Sequence, residues 1–211
     1  MIMRPYSLWI LFIAASLPLY LNDLFYIYMP LDAIGWIIVD YGSRLLVFGA
    51  LIVFVAKGLI GRNDLALSWL PLDSLIGWTL LLSAVGIAID HYTSSALRML
   101  FHNSALASYP DFSKLGAFKP IDLTLGLFMT ALSEELLFRG LLLTLLQRTL
   151  SPMSAIVIST LLFGLIHWCY GPSSILSAAL WGLLPALIVI RTHSLWPAII
   201  AHYLTDLVDF W

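Results

Sequence analysis

A succession of apolar runs, each close to the length of a bilayer crossing, leaves this chain few folds to choose from. A spanning helix needs about 20 mostly apolar residues. Runs of that kind fall at about Tyr6 to Leu21, Ala33 to Ala56, Leu72 to Ile89, Ile121 to Gln147, Met153 to Tyr170, Ser174 to Ile190 and Trp196 to Trp211. Only 10% of the residues are charged and 61% are hydrophobic, against about 25% charged in a soluble domain. The expected fold is therefore all-α, a polytopic bundle of about seven transmembrane helices embedded in a lipid bilayer. It divides into residues 1–120, with three helices and one long connection, and residues 121–211, with four. No internal repeat is visible.

The first run follows Arg4 and lacks a signal-cleavage site, so it reads as a membrane helix. Asn22 and Asp23 are expected at the membrane interface, with Phe25, Tyr26 and Tyr28 as interfacial aromatics. The second run holds Asp40 and Arg44, four apart, a pair that can neutralise itself; its reading is structural, with a polar cavity wall as the alternative. Lys57 to Asp64 reads as a short polar loop. The long connection, Asp90 to Pro120, reads as an interfacial amphipathic helix followed by a loop, with His91 and His102 as surface histidines. Pro185 is the expected kink point of the sixth run.

Lysine and arginine counts orient the chain. A cytoplasmic amino terminus puts Arg4, Lys57, Arg62, Arg148 and Arg191 inside and leaves Arg98, Lys114 and Lys119 outside. The net charge of −2 and the absence of a basic stripe give no sign of a nucleic-acid partner. The one cysteine, Cys169, excludes an intrachain disulfide and reads as a small packing residue.

The fourth run carries Glu134, Glu135 and Arg139 near its middle. Each such charge costs about 2.5–3.5 kcal/mol on insertion scales, so three imply a compensating use. Glu135 and Arg139 are one turn apart and can pair. Glu134 is rotated roughly 100° from Glu135, so it is the freer carboxylate. Later runs add His167, then His202 and Asp206 on one face of the last helix. A carboxylate with two imidazoles can activate water and stabilise developing charge. The same donors, Glu134, His167 and His202, could hold zinc with a position left for water. No His-Glu-x-x-His motif is present, and neither Ser133 nor Ser177 has an obvious base beside it.

Three motifs stand in order: Glu134-Glu135-x-x-x-Arg139, Phe163-x-x-x-His167, and Trp196-Pro197 followed by His202-x-x-x-Asp206. Together they resemble the CAAX protease and bacteriocin-processing family, type II CAAX prenyl endopeptidase-like or glutamic-type intramembrane proteases. The resemblance covers about Asp122 to Asp209. At the place of Asp206 the family more often carries Asn. The resemblance implies a helix bundle with a polar intramembrane cavity and peptide-bond hydrolysis by water activated at Glu134, with His167 beside it. It gives His202 and Asp206 the oxyanion or the water to hold, and Glu135 with Arg139 a supporting role. It carries zinc as a possible cofactor. Substrates would be peptides or lipidated proteins: prenylated carboxyl termini, sorting signals or bacteriocin leaders. No motif fixes an oligomeric state. The small size and lack of a eukaryotic targeting segment lead to an expected location in a prokaryotic plasma (inner) membrane. Two other readings are a non-catalytic scaffold and a proton-coupled transporter. The complete polar set argues against the first, and the missing repeat against the second.

Overall fold

Backbone N–H and C=O groups cannot be left unpaired where water is excluded, so long apolar runs fold as helices. The computed structural model describes residues 5–29, 31–101, 104–109 and 111–211. Arg4 and His102, both used above, lie outside the described residues. Among the described residues there are seven helices, three short 3-10 turns and no strand beyond an isolated bridge between Leu67 and Ser194. The helices are α1 (Pro5–Tyr28), α2 (Ala33–Ala56), α3 (Leu72–Phe101), α4 (residues 119–147), α5 (Pro152–Leu165), α6 (Pro172–Thr192) and α7 (Trp196–Phe210).

Four of them, α1, α2, α3 and α6, are long and apolar enough to cross a membrane. The 14 residues of α5 and 15 of α7 extend only about 21–23 Å at 1.5 Å per residue, short of a hydrocarbon core of about 30 Å. Large apolar side chains such as Ile10, Ile38, Leu46, Ile52 and Leu80 are exposed on α1 to α3, the pattern of a lipid-facing surface. α1 pairs with α2, α5 with α6, and α3 runs along both α6 and α7; the middle of α4 packs on α7 and α2. Gly164 of α5 touches α6 so closely that a Cβ there would run into the Ile175 carbonyl. An aromatic spine joins α1, α4 and α5, with Phe138 edge-on to both Phe12 and Phe163.

The molecule has two distinguishable ends. At one, Arg148 pairs with Asp64 at 2.9 Å, Leu195 N–H donates to the Ala66 carbonyl, and Trp69 stacks on Trp196 at 4.3 Å. At the other, Trp36, Tyr109, Phe112, Tyr170 and Phe210 meet in one aromatic cluster. Asp111 caps the 3-10 turn that carries Phe112, accepting from Ser113 N–H. The Ser113 hydroxyl and amide hold the Asp111 carboxyl below the usual carboxylate range.

Several boundaries differ from the sequence reading. α3 continues unbroken through Asp90 to Phe101, so no separate interfacial helix follows Ile89. α1 runs to Tyr28, and Asn22 and Asp23 are buried inside the bundle instead of at its edge. Their polarity is used internally: Asn22 donates toward Ser43, and Asp23 accepts from the Cys169 N–H. α5 stops at Leu165, leaving His167 in a turn. The loop after α2 closes on a 3-10 turn at Arg62–Leu65. α6 runs from Pro172 to Thr192, beyond the expected end at Ile190, with Pro185 inside it.

Candidate active site

The polar centre is assembled by α2, α4, α7 and the turn after α5. α4 is not a uniform helix. Its α-helical part Leu127–Glu135 gives way to a π-helical turn over Leu136–Leu142, with another π turn at Asp122–Gly126. Such widened turns often occur where a helix serves a site. Glu134 and Glu135 are the last two residues before the change.

Glu135 and Arg139 pair as their spacing predicts: Arg139 Nη1 lies 2.9 Å from Glu135 Oε1, with both side chains fully buried. The guanidinium rests over the Phe163 ring at 3.9 Å. A cation over an aromatic face is favourable, more so when desolvated. Gly182 of α6 makes the space, since a Cβ there would collide with Arg139 Nη2.

Glu134 does not share that arrangement, but it is not free either. Arg44 of α2 reaches its Oε1 at 3.2 Å. The same guanidinium grips Asp40 with two contacts, Nε to Oδ2 at 3.0 Å and Nη2 to Oδ1 at 2.9 Å. The Asp40–Arg44 pair therefore does not simply neutralise itself; it forms part of the polar wall. Glu134 Oε2 has no hydrogen-bond partner within the protein.

His202 stands between the two glutamates. Its Nδ1 is 3.0 Å from Glu135 Oε1. An ionised carboxylate only accepts, so Nδ1 carries the hydrogen and Nε2 points into the site. There Nε2 is 3.6 Å from Asp206 Oδ2 and 3.8 Å from Glu134 Oε2. Both distances exceed a direct hydrogen bond and leave the imidazole aimed between two carboxylates. Trp181 packs against the ring at 4.6 Å. His167 follows the end of α5, edge-on to Phe163, and its buried Nδ1 has no partner within the protein.

Two clefts meet here, sharing Tyr109, His167, His202, Asp206 and Phe210. One, of about 210 Å³, runs between α3, α6 and α7, past Gly86, Ser177 and Trp181. The other, of about 110 Å³, is walled by α1, α2 and α4 and includes Asp40, Arg44 and Glu134. Glu135 lines neither cleft. All four residues proposed from sequence as reacting groups, Glu134, His167, His202 and Asp206, thus border one space, and the supporting pair lies behind it.

The zinc alternative draws on the same donors. Among the described residues no three His, Cys, Asp or Glu side chains converge in a way that could hold a metal ion. Glu134 Oε1 faces a guanidinium and His202 Nδ1 is held by Glu135, which leaves Glu134 Oε2, His202 Nε2 and His167 Nδ1 as the atoms turned to the shared space.

Residues 116–208 match the Rce1-like family, type II CAAX prenyl endopeptidases. The Rce1-like segment contains α4 from its first residue through nearly all of α7, and so every motif residue named above. No curated protein and no solved structure matches the chain. Arg44, Asp40 and Tyr109 lie outside the Rce1-like segment yet border the same space. Sequence reasoning gave Arg44 a structural pairing with Asp40, and a place in the polar wall only as the alternative. Its signal was an arginine in an apolar run, but the Arg44–Glu134 contact spans 90 residues and no local pattern announces it. Tyr109 had no signal. It is placed by the loop before it, whose Leu106 and Ala107 N–H groups donate to the Cys169 carbonyl.

Proposed function

We propose that the chain is an intramembrane endopeptidase in which Glu134 activates water to hydrolyse a peptide bond of a membrane-associated peptide or lipidated protein. The observation that carries this reading is the asymmetry of Glu134. One oxygen is held by Arg44, the other is buried with no partner in the protein, and the residue lines a cleft. A general base needs a fixed orientation and a lone pair not already taken by another group.

In the proposed reaction Glu134 Oε2 takes a proton from water as the water oxygen bonds to the scissile carbonyl carbon. The resulting oxyanion lies near His202 Nε2 and His167 Nδ1, which stabilise it as hydrogen-bond donors when protonated there. The proton on Glu134 then passes to the leaving nitrogen as the C–N bond breaks. Glu135 acts from behind, fixing the His202 ring through Nδ1 while Arg139 balances its charge. Asp206 orients the other side of the imidazole. The clefts serve as the polar intramembrane cavity, tolerated in a bilayer because helices enclose it. The reading places the protein in a prokaryotic plasma membrane, with all seven helices contributing to the embedded bundle.

The test uses purified chain in vesicles, with a farnesylated peptide ending in a CAAX motif as the probe, in water enriched in ¹⁸O. One ¹⁸O in the new carboxyl group and release of a carboxyl-terminal fragment are expected. An intact probe, alongside an intact bacteriocin-leader peptide, would contradict the reading. Verified metal depletion by chelation is expected to leave the rate unchanged, because Glu134 itself supplies the base for the water.

A further inference from the structure

We infer that Arg44 of α2 is the positioning residue for the reacting carboxylate, with Asp40 as its anchor, so that the site is completed from outside the Rce1-like segment. The inference rests on the proposed base role of Glu134. Three residues form a line: Asp40 holds Arg44 by two contacts of 2.9 and 3.0 Å, and Arg44 holds Glu134 Oε1 at 3.2 Å. Two parallel contacts fix the plane of a guanidinium as a single one cannot. The plane then dictates which Glu134 oxygen is occupied. Asp40 is itself fixed, since the Tyr26 hydroxyl donates to its Oδ1 at 3.4 Å. Arg44 Nη1 also lies 3.5 Å from Ser133 Oγ, the residue before Glu134.

All three side chains are buried: Asp40 is 3% exposed, Arg44 7% and Glu134 4%. An exposed arginine would find many orientations, whereas this one is buried and held by two contacts to Asp40. Glu135 provides the internal comparison. It too has one oxygen held by an arginine and one unpartnered, but it faces no cleft. Two neighbouring carboxylates thus each have their own arginine, one from the same helix and one from α2. A purely structural Asp40–Arg44 pair needs no third contact. The third contact, placed on the one glutamate that borders a cleft, is what a positioning role requires.

The experiment compares kcat and KM for the farnesylated CAAX peptide in five purified full-length forms: parent, Arg44→Ala, the neutralised double variant Asp40→Asn with Arg44→Gln, Glu134→Gln, and Glu134→Gln combined with Arg44→Ala. The double variant removes cation and anchor together, so no unpaired aspartate is left behind if Arg44→Ala fails to fold. Folded fraction is fixed by thermal shift, and rates are expressed per folded molecule. A misplaced catalytic group typically costs about 10²-fold. A fall of that order in kcat with little change in KM is expected for the double variant, and millimolar guanidinium is expected to restore part of the rate of Arg44→Ala. In the Glu134→Gln background, removing Arg44 is expected to cost no further rate. A folded double variant with parent kcat, while Glu134→Gln is inactive, would overturn the role of Arg44 alone. Parent kcat in Glu134→Gln would instead overturn the base assignment beneath it.

Discussion

Glu134 and Glu135 each give one carboxylate oxygen to an arginine, to Arg44 in the first case and Arg139 in the second. The second pairing is legible in the sequence because it is made within one helix turn. The first is not, because it joins residues 90 positions apart. The same limit applies to His202, whose place on α7 was visible but whose Nδ1 contact with Glu135 was not. Arg139 is the largest fully buried side chain and is bonded to a fully buried carboxylate. Arg139→Ala strands that carboxylate, and breaking a buried pair on one side typically costs about 3–5 kcal/mol. Thermal denaturation of the purified variant should therefore show a large stability loss along with lost activity. A variant as stable as the parent would mean that Glu135 finds another partner.

At the scale of elements, helix existence was readable and helix ends were not. Apolar length identified all seven runs, but Asp90, His91 and Arg98 were read as an exit from the membrane although α3 carries on through them. α5 ends at Leu165, just after Gly164, but that glycine sits inside an apolar run where it reads equally as a packing residue and gave no clear stop. The π turn after Glu135 likewise has no composition signal. Close contact between α5 and α6 depends on a missing side chain at Gly164. Gly164→Ala places a methyl against the Ile175 carbonyl and the Ala179 side chain, and overpacking of this kind costs about 1–3 kcal/mol. Thermal shift should fall accordingly. Gly77→Ala, where a Cβ meets nothing, should show no loss; equal destabilisation by both changes would contradict the packing account.

Over the whole molecule, the Asp64–Arg148 pair and the Trp69–Trp196 stack mark one end, and the aromatic cluster around Phe112 and Tyr109 marks the other. Arg62 belongs to the first end and Lys114 to the second. Reporter fusions at these two positions should therefore register opposite compartments, with Arg62 cytoplasmic by the charge count. Fusions reporting one compartment would contradict the two-ended arrangement. The overall class was readable because apolar length and in-membrane charge are one-dimensional properties, and the motif residues inside the Rce1-like segment could be named from spacing alone. Their meeting with Arg44 and Tyr109 is a property of packing across α2, α4, α5 and α7. The central claim is that the unpartnered oxygen of Glu134 takes the proton of the attacking water. Glu134→Gln keeps the size of the side chain and removes the basic oxygen. General acid–base groups contribute about 10²–10⁴-fold. Turnover of the farnesylated CAAX peptide by the purified, folded variant should fall by at least that order with probe binding retained; turnover near that of the parent would contradict the account.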